Sequence, residues 1–277
     1  MAPTLNIVGA GHVGRALGRL FERHGVFAVQ DVLTRSQASA RAAVDFIGAG
    51  RPVDAVDVLR PAAVWMLAVS DDRIDELARR LASGCALNNA VVFHCSGAKA
   101  STELDAVREA GACVASVHPV RSFADPQQVA DAFGGTFCGV EGDARALALL
   151  SPAFEAIGAR VVPIDARAKT VYHAASVFAS NYLTTVLDAA LRAYQAAGIP
   201  AEVARELARP LATETLANVF RLGPETALSG PIARGDTATV ARQQAAVEAW
   251  DPATGALYEA LAGATWDLAR RKHGDRA

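Results

Sequence analysis

The first 165 residues alternate short runs of β-branched and apolar residues with amphipathic or alanine-rich stretches. Alternation of this kind is typical of a parallel sheet wrapped by helices. Glycines at 25 and 158 suit the left-handed position beyond a helix end, so helices are predicted to end just before them. The pattern predicts strands at residues 5–8, 27–33, 53–56, 64–69, 91–94, 113–117, 136–140 and 160–164, of which 53–56 is the least regular.

Beyond Asp165 the β-branched runs disappear, and alanine, leucine, arginine and glutamate dominate. The sequence there predicts one long helix over about 166–197, further helices ending at Leu222 and Ala249, and a last helix opened by Asp251 and Pro252. We therefore predict an α/β fold, with a doubly wound domain over residues 1–165 and an all-helical domain over residues 166–277.

Composition narrows the class of protein. With 277 residues, 52% of them hydrophobic and 20% charged, the chain can bury a substantial core, which excludes a disordered protein. A net charge of -2 gives no field that would gather phosphate backbones, so no nucleic-acid partner is expected. The longest apolar run, residues 62–69, is far below the roughly 20 residues that span a bilayer, so no membrane helix is expected.

The chain starts with a predicted strand rather than with a basic and apolar export signal, so a cytoplasmic location is expected. The four cysteines are spaced 10, 18 and 25 residues apart, unlike zinc ligands or redox dithiols. We therefore expect reduced thiols and no metal site.

A glycine-rich loop joins the first strand to the first helix. Its residues are Gly9, Ala10, Gly11, His12, Val13 and Gly14. In this context the first glycine permits a tight turn, the second lets the backbone approach a pyrophosphate, and the third allows close packing of helix and strand. The helix N-terminus adds free N–H groups, so the loop predicts a bound dinucleotide and a Rossmann domain.

The end of the second strand indicates which dinucleotide is bound. Thr34, Arg35 and Ser36 follow that strand and offer a guanidinium and two hydroxyls, which suit the 2′-phosphate of NADP. Asp31 lies 20 residues after Gly11, close to the spacing of an acid that binds the ribose of NAD. Because three residues separate Asp31 from Arg35 at the strand exit, we predict NADP.

Two further strand exits should border the cofactor, because ligands of doubly wound sheets bind beyond the carboxyl ends of the strands. Val69 and Ser70 follow one strand, and Ser96 and Gly97 follow the next, where we place the nicotinamide. Alternatively, Ser70 is no more than a cap for the following helix.

Several motifs together resemble a known family, the Rossmann-like proteins that carry the domain of unknown function numbered 2520. The resemblance covers nearly the whole chain, and its more specific part is the helix with Tyr172-His173-Ala174-Ala175 and Ser180-Asn181, together with Gly230-Pro231. More distantly the chain is similar to the 6-phosphogluconate dehydrogenase-like superfamily. That superfamily includes pyrroline-5-carboxylate reductases, ketopantoate reductases and β-hydroxyacid dehydrogenases. The other motifs that carry the resemblance are residues 9–14, 34–36, 69–72, 96–98, 118–119 and 169–171.

The resemblance to β-hydroxyacid dehydrogenases implies catalytic residues on the first long helix. Those enzymes carry a lysine and, four residues on, an asparagine facing the substrate; this chain has Lys169 and His173. The histidine puts the substrate class in doubt and adds a group that titrates near neutral pH. Independently, a desolvated lysine can give up a proton, whereas arginine cannot. The alternative is a lysine that only snorkels and a histidine that is only structural.

Other polar residues are candidates for binding the substrate. His118 ends a strand before Pro119, and its imidazole is expected to bind a substrate oxygen or relay a proton, unless it only caps the strand end. Arg121 and Ser122 follow and could hold a carboxylate, and Asn181 lies two turns beyond His173 on the same broad face.

These observations predict an NADP-dependent oxidoreductase that transfers a hydride between NADP(H) and a small carbonyl, hydroxy-acid or imine substrate. The alternatives are a nucleotide-binding sensor or scaffold without turnover, and a deazaflavin-dependent reductase. The helical half has more apolar positions than one layer needs, and the resemblance implies a dimer there, so we expect a homodimer. The sequence does not name the substrate.

Overall fold

The computed structural model describes residues 1–274 and contains an eight-stranded sheet. The strands are β1 (Thr4–Val8), β2 (Ala28–Leu33), β3 (Arg51–Val53), β4 (Val64–Leu67), β5 (Val91–His94), β6 (Cys113–Pro119), β7 (Phe137–Gly142) and β8 (Arg160–Pro163). The first helices are α1 (His12–Arg23), α2 (Gln37–Ile47), α3 (Ile74–Gly84), α4 (Asp105–Glu109), α5 (Pro126–Asp131), α6 (Ala144–Ala156) and α7 (Lys169–Val177). The remaining helices are α8 (Leu183–Ala196), α9 (Ala201–Leu222), α10 (Pro224–Ala227), α11 (Thr237–Trp250) and α12 (Pro252–Lys272).

The sheet has the order β3-β2-β1-β4-β5-β6-β7-β8. Its first six strands are parallel, so the α/β prediction is confirmed. One expectation is wrong, because the sheet is not parallel throughout: β7 pairs with β6 in the antiparallel direction. Strand direction depends on the connection and not on the apolar pattern, so the alternation of apolar residues does not predict this reversal. The reversal sets Gly139 directly opposite His118.

Both faces of the central strands β4 and β5 are buried, as a doubly wound fold requires. On β4, Val64 and Met66 pack into one apolar layer, while Trp65 and Leu67 pack into the other. The first layer includes Phe21 and Phe154, whose rings pack edge to face with their centroids 5.3 Å apart. This packing holds the carboxyl ends of β1, β2, β4, β5 and β6 in fixed register at one edge.

The chain forms two compact units, Met1–Ser180 and Asn181–Ala277, of which the second is described as far as residue 274. Helix α7 belongs to the first unit, although it follows the boundary predicted at 165/166, which stays a prediction. The predicted long helix is observed as α7 and α8 with a π-helical turn, Phe178–Tyr182, between them. Within residues 1–274, none of the helices combines the length and the hydropathy of a membrane span.

The second unit is helical. Helices α8 and α9 pack together, as do α11 and α12, and Arg192 on α8 pairs with Asp251, which caps α12, at 3.0 Å. Its buried residues are small, such as Ala204 and Ala262, whereas large apolar side chains including Leu211 and Phe220 lie exposed.

Candidate functional site

The glycine loop has the geometry expected of each glycine. Gly9 has a φ of +87°, and a Cβ there would overlap Val69 and lie 2.7 Å from the Ala68 carbonyl oxygen. A Cβ on Gly14 would overlap the Gly9 carbonyl, so α1 packs directly on the turn. By contrast, nothing lies within 4 Å of a Cβ built on Gly11, so this glycine faces open space where a ligand can approach.

Helix α1 begins at His12 with no side-chain cap on its first N–H groups. Uncapped N–H groups at a helix start favour an anion such as a pyrophosphate. The His12 imidazole lies 2.6 Å from the Phe123 carbonyl oxygen, and Arg15 donates to the Ala10 carbonyl at 3.0 Å. These bonds fix the loop from both sides.

A cavity of about 780 Å³ opens in front of this loop. We call it the glycine-loop cavity. The predicted cofactor residues that line it are Gly9, Ala10, Gly11, His12, Thr34, Arg35, Val69 and Ser70. The predicted residues Val13, Gly14, Ser36, Ser96 and Gly97 are not part of its lining.

Three arginines that the sequence analysis missed also line the cavity: Arg15, Arg73 and Arg80. Arg73 lies just before α3 and Arg80 lies within it, with Leu77 between them, at the spacing that places residues on one helix face. The spacing of seven residues between Arg73 and Arg80 is the feature of the sequence that could have indicated a shared helix face. With Arg35, the cavity has four guanidinium groups and one acidic lining residue, Asp54, so it is strongly basic.

Asp31 does not reach this cavity. It is fully buried on β2, where Arg51 and Arg60 bind its carboxylate at 2.9 and 2.7 Å. Burial alone would raise the pKa of Asp31, but hydrogen bonds from Arg60 and Arg51 lower it to about 2. Because both carboxylate oxygens are engaged, Asp31 is a structural residue and is not available to a ribose.

The exit of β2 divides its polar residues between two roles. The Ser36 hydroxyl caps α2 by accepting from the Ser39 amide at 3.2 Å, and Thr34 donates to the Ser36 carbonyl at 2.9 Å. Arg35 is exposed and lines the cavity. Ser36 therefore shapes the turn, and its role as a cofactor ligand stays a prediction.

A second group of polar residues lies at the ends of β5 and β6. We call it the lysine–histidine cluster, comprising Lys169, His118, Tyr172 and His173 around Gly97. Lys169 is 1% exposed, and its ammonium donates to the Ser96 carbonyl at 2.8 Å and to the Ser116 hydroxyl. Burial lowers the pKa of Lys169 to about 8, against a smaller opposite effect of Glu141.

The Ser96 turn is itself held in place. The Ser96 hydroxyl accepts from the Lys99 amide at 2.9 Å, and buried His94 accepts from the Ser96 amide through Nδ1 while its Nε2 lies 3.0 Å from the Ala100 carbonyl. Burial lowers the pKa of His94 to about 4, so it is neutral near pH 7. Ser96 therefore supports Lys169 and is not placed in the glycine-loop cavity.

The two cluster histidines converge on Gly97. A Cβ on Gly97 would overlap His173 Nδ1 and lie 2.8 Å from His118 Nε2. The rings of His118 and His173 are 5.5 Å apart. His173 Nδ1 is buried without a hydrogen-bond partner among the described residues, which is the kind of polar atom that a bound ligand satisfies.

The predicted substrate residues are Arg121, Ser122 and Asn181. Arg121 donates to the Ala132 carbonyl and to the Thr136 hydroxyl, and Ser122 is exposed beside it. Asn181 is exposed in the π-helical turn and belongs to the second unit. All three assignments stay predictions. Among the described residues, no group of three or more His, Cys, Asp or Glu side chains is placed to hold a metal ion.

Two family models match the chain. One describes a Rossmann-like domain over residues 3–119, and the other describes a domain of unknown function, DUF2520, over residues 136–265. The chain is a Rossmann-like protein with a DUF2520 domain. No curated protein matches this DUF2520 protein.

Solved structures share the fold of this DUF2520 protein. Protein BF3122 from Bacteroides fragilis, a candidate NADP oxidoreductase, has a TM-score of 0.79 at 22% identity, covering 96% of this chain and 98% of its own. Protein TM1727 from Thermotoga maritima has a TM-score of 0.73 at 25% identity, covering 98% and 100%. A reductive aminase from Aspergillus terreus, in complex with NADPH and ethyl-5-oxohexanoate, has a TM-score of 0.66 at 15% identity, covering 99% and 92%.

Proposed function

We propose that this DUF2520 protein is an NADP-dependent oxidoreductase that transfers a hydride between NADP(H) and a small carbonyl, hydroxy-acid or imine substrate. One observation carries the proposal. A basic cavity at the glycine loop and a buried lysine beside two histidines lie at the carboxyl ends of neighbouring strands of one sheet. Ligands of such sheets bind at this edge.

The residues present fit NADP. The open side of Gly11 and the uncapped start of α1 suit the pyrophosphate, and Arg35 suits the 2′-phosphate. Asp31, the residue at the spacing of an acid that selects NAD, does not line the cavity, because it is buried in its own ion pairs. When bound, NADP supplies or accepts the hydride.

Lys169 is the proposed proton donor in reduction. A pKa of about 8 leaves its ammonium largely protonated near pH 7 yet acidic enough to give up a proton. It would protonate the developing oxygen or nitrogen of the substrate, directly or through the adjoining Ser116 hydroxyl. His173, one turn along α7, is the other proposed donor, and His118 the proposed substrate-binding group.

The structural relatives support this class of function. The reductive aminase from A. terreus binds NADPH, and an imine reductase from Myxococcus stipitatus, with a TM-score of 0.65, was solved with NADP+. At identities of 15% and 17%, these relatives share the fold but do not indicate the substrate. The proposed substrate is therefore given only as one of three classes: a carbonyl, a hydroxy acid or an imine.

We also propose a homodimer formed through the helical half. Along α9 the apolar side chains Leu207, Leu211 and Phe220 are 46%, 60% and 87% exposed. Apolar surface of this kind is unfavourable in water and favours contact with a second copy of the chain.

We also propose a cytoplasmic location, because all four cysteines are free thiols.

The test has two stages. NADPH and NADH are first titrated against the purified protein, with tighter NADPH binding expected. NADPH absorbance is then followed with panels of keto acids, aldehydes and imines, using Lys169→Ala as the inactive control. Binding without turnover on any panel would favour the sensor hypothesis, whereas failure to bind either nicotinamide cofactor would overturn the proposal.

A further inference from the structure

We propose that Tyr172 is a positioning residue that fixes His118 in the tautomer with its proton on Nε2, so that His118 offers a neutral N–H to an oxygen of the substrate beside Gly97. The tautomer stands on the geometry of the cluster alone. Its use toward a substrate rests on the proposed oxidoreductase function.

The hydrogen bonds around Tyr172 determine where the protons lie. The Tyr172 hydroxyl is 3.1 Å from His118 Nδ1 and lies against Gly139. The phenol proton needs an acceptor, and among the described residues His118 Nδ1 is the hydrogen-bond partner of this hydroxyl. With the phenol proton in this bond, His118 Nδ1 is unprotonated, and in a neutral imidazole the proton lies on Nε2.

The reversed strand makes this contact possible. Because β7 runs antiparallel to β6, Gly139 stands opposite His118, and the Tyr172 hydroxyl occupies the space where a Cβ on Gly139 would lie. The rings of Tyr172 and His118 meet edge to face, 5.6 Å apart and at 86°. Both the hydroxyl and the ring of Tyr172 therefore restrict the rotation of the imidazole.

The other edge of the imidazole faces the proposed reaction site. His118 Nε2 lies close to Gly97, the residue at which a Cβ has no room. Nε2 makes no hydrogen bond to the described part of the chain, so its N–H is available to a ligand. His173 Nδ1 lies against the same glycine, buried and without a partner. Two imidazole nitrogens without protein partners thus converge on one point.

The charge of His118 agrees with a neutral donor. Burial, and then the nearby Lys169 and His173, lower the pKa of His118 to about 4, while Asp71 has a smaller opposite effect. The ring is therefore uncharged near neutral pH and donates a hydrogen bond without acting as an acid. Together with Lys169, the cluster presents N–H donors, which suit a ketone or hydroxyl oxygen better than a cationic iminium group.

The tautomer can be tested without any turnover. Protein with ¹⁵N-labelled histidine is studied by long-range ¹H–¹⁵N NMR, which distinguishes protonated from unprotonated ring nitrogens. Wild type should show His118 protonated at Nε2 only, and Tyr172→Phe should shift it to a mixture of tautomers. Tyr258→Phe removes a hydroxyl that binds Gln243 and serves as the matched control, with no change at His118. A protonated Nδ1 in the wild type would overturn the proposal.

Kinetics then test the use of this tautomer. Tyr172→Phe should lower kcat for a carbonyl substrate by about 10- to 100-fold, the range for losing an outer hydrogen bond that orients a functional histidine. Its NADPH affinity should stay unchanged. Gly139→Ala, which displaces the Tyr172 hydroxyl, should repeat both the NMR and the kinetic effects. Unchanged kcat in Tyr172→Phe, despite an altered tautomer, would refute the role of His118 toward the substrate. Absence of turnover in the wild type would refute the oxidoreductase and leave the NMR result standing.

Discussion

Replacing Arg35 by alanine should weaken NADPH binding strongly and leave NADH binding within about twofold. Arg35 is the one guanidinium among those lining the glycine-loop cavity that makes no hydrogen bond or ion pair within the described residues. Arg73 is held by Glu76 at 2.8 Å, Arg80 lies 3.9 Å from the same carboxylate, and Arg15 donates to Ala10. Arg35 is therefore free to meet a phosphate without breaking an existing bond.

The size of the effect follows from the type of bond that is lost. A charge-assisted hydrogen bond contributes about 1.5 to 3 kcal/mol, which corresponds to roughly a 10- to 150-fold rise in the Kd for NADPH. Arg35 is exposed, so alanine should leave the fold intact, and NADH, which lacks the 2′-phosphate, loses nothing. Arg73→Ala should have a smaller effect, because Glu76 already offsets its charge.

Isothermal titration with both cofactors at fixed ionic strength measures the two constants, and raising the salt should narrow the difference. Arg79→Ala is the matched control. Arg79 lies on the same helix as Arg80 but pairs with Asp75 at 2.7 Å and does not line the cavity. Equal losses for NADPH and NADH in Arg35→Ala, or an equal loss in Arg79→Ala, would refute the assignment of the 2′-phosphate site.

The buried charges and the exposed helices lead to four further predictions. Lys169→Ala and His173→Ala should each lower turnover by about 100- to 10,000-fold with NADPH affinity almost intact, and near-normal rates in both would move the proton donor elsewhere. In wild type, carbonyl reduction should slow as pH rises through about 8, because Lys169 loses the proton it donates, and a flat profile would contradict this. Asp31→Asn should lower the free energy of unfolding at pH 7 by about 1 to 2 kcal/mol, a value discounted because the two arginines are half-exposed. In wild type this stabilisation should be present above about pH 4 and should disappear as the pH falls through about 2, the pKa of folded Asp31. Chemical denaturation across that pH range tests both expectations. Light scattering should give a dimer mass, and a monomer mass independent of dilution would refute the homodimer.

The parts of the fold predicted from sequence are those that local chemistry determines. The strand at 91–94 matches β5 exactly in its bounds, and the glycine loop behaves as its spacing indicates, because a positive φ at Gly9 and close packing at Gly14 are backbone requirements. The interpretation of Asp31 as a residue that does not bind the ribose agrees with its burial and its ion pairs. Its position two residues before the end of β2 already placed it inside the sheet.

Other features depend on which distant residues meet, and the sequence does not show this. Arg51 and Arg60, which bind Asp31, lie 20 and 29 residues beyond it. The direction of β7 is set by a connection with only one short helix, α5, and not by its alternation of side chains. Tyr172 stood within a recognised motif without an assigned role, because its partner His118 is 54 residues away.

The spacing of Lys169 and His173 placed both on one face of a helix, but burial separates their chemistry. Lys169 reaches beneath the Ser96 turn, where a carbonyl and a hydroxyl accept its protons, so the ammonium is held in a polar site enclosed by the sheet. The same positive charge helps to keep His118 neutral. In the proposed reaction, Lys169 would therefore supply the proton, and His118, restrained by Tyr172, would donate the hydrogen bond that orients the substrate oxygen. Loss of the Lys169 charge should consequently raise the pKa of His118, which links the two residues without any direct contact between them.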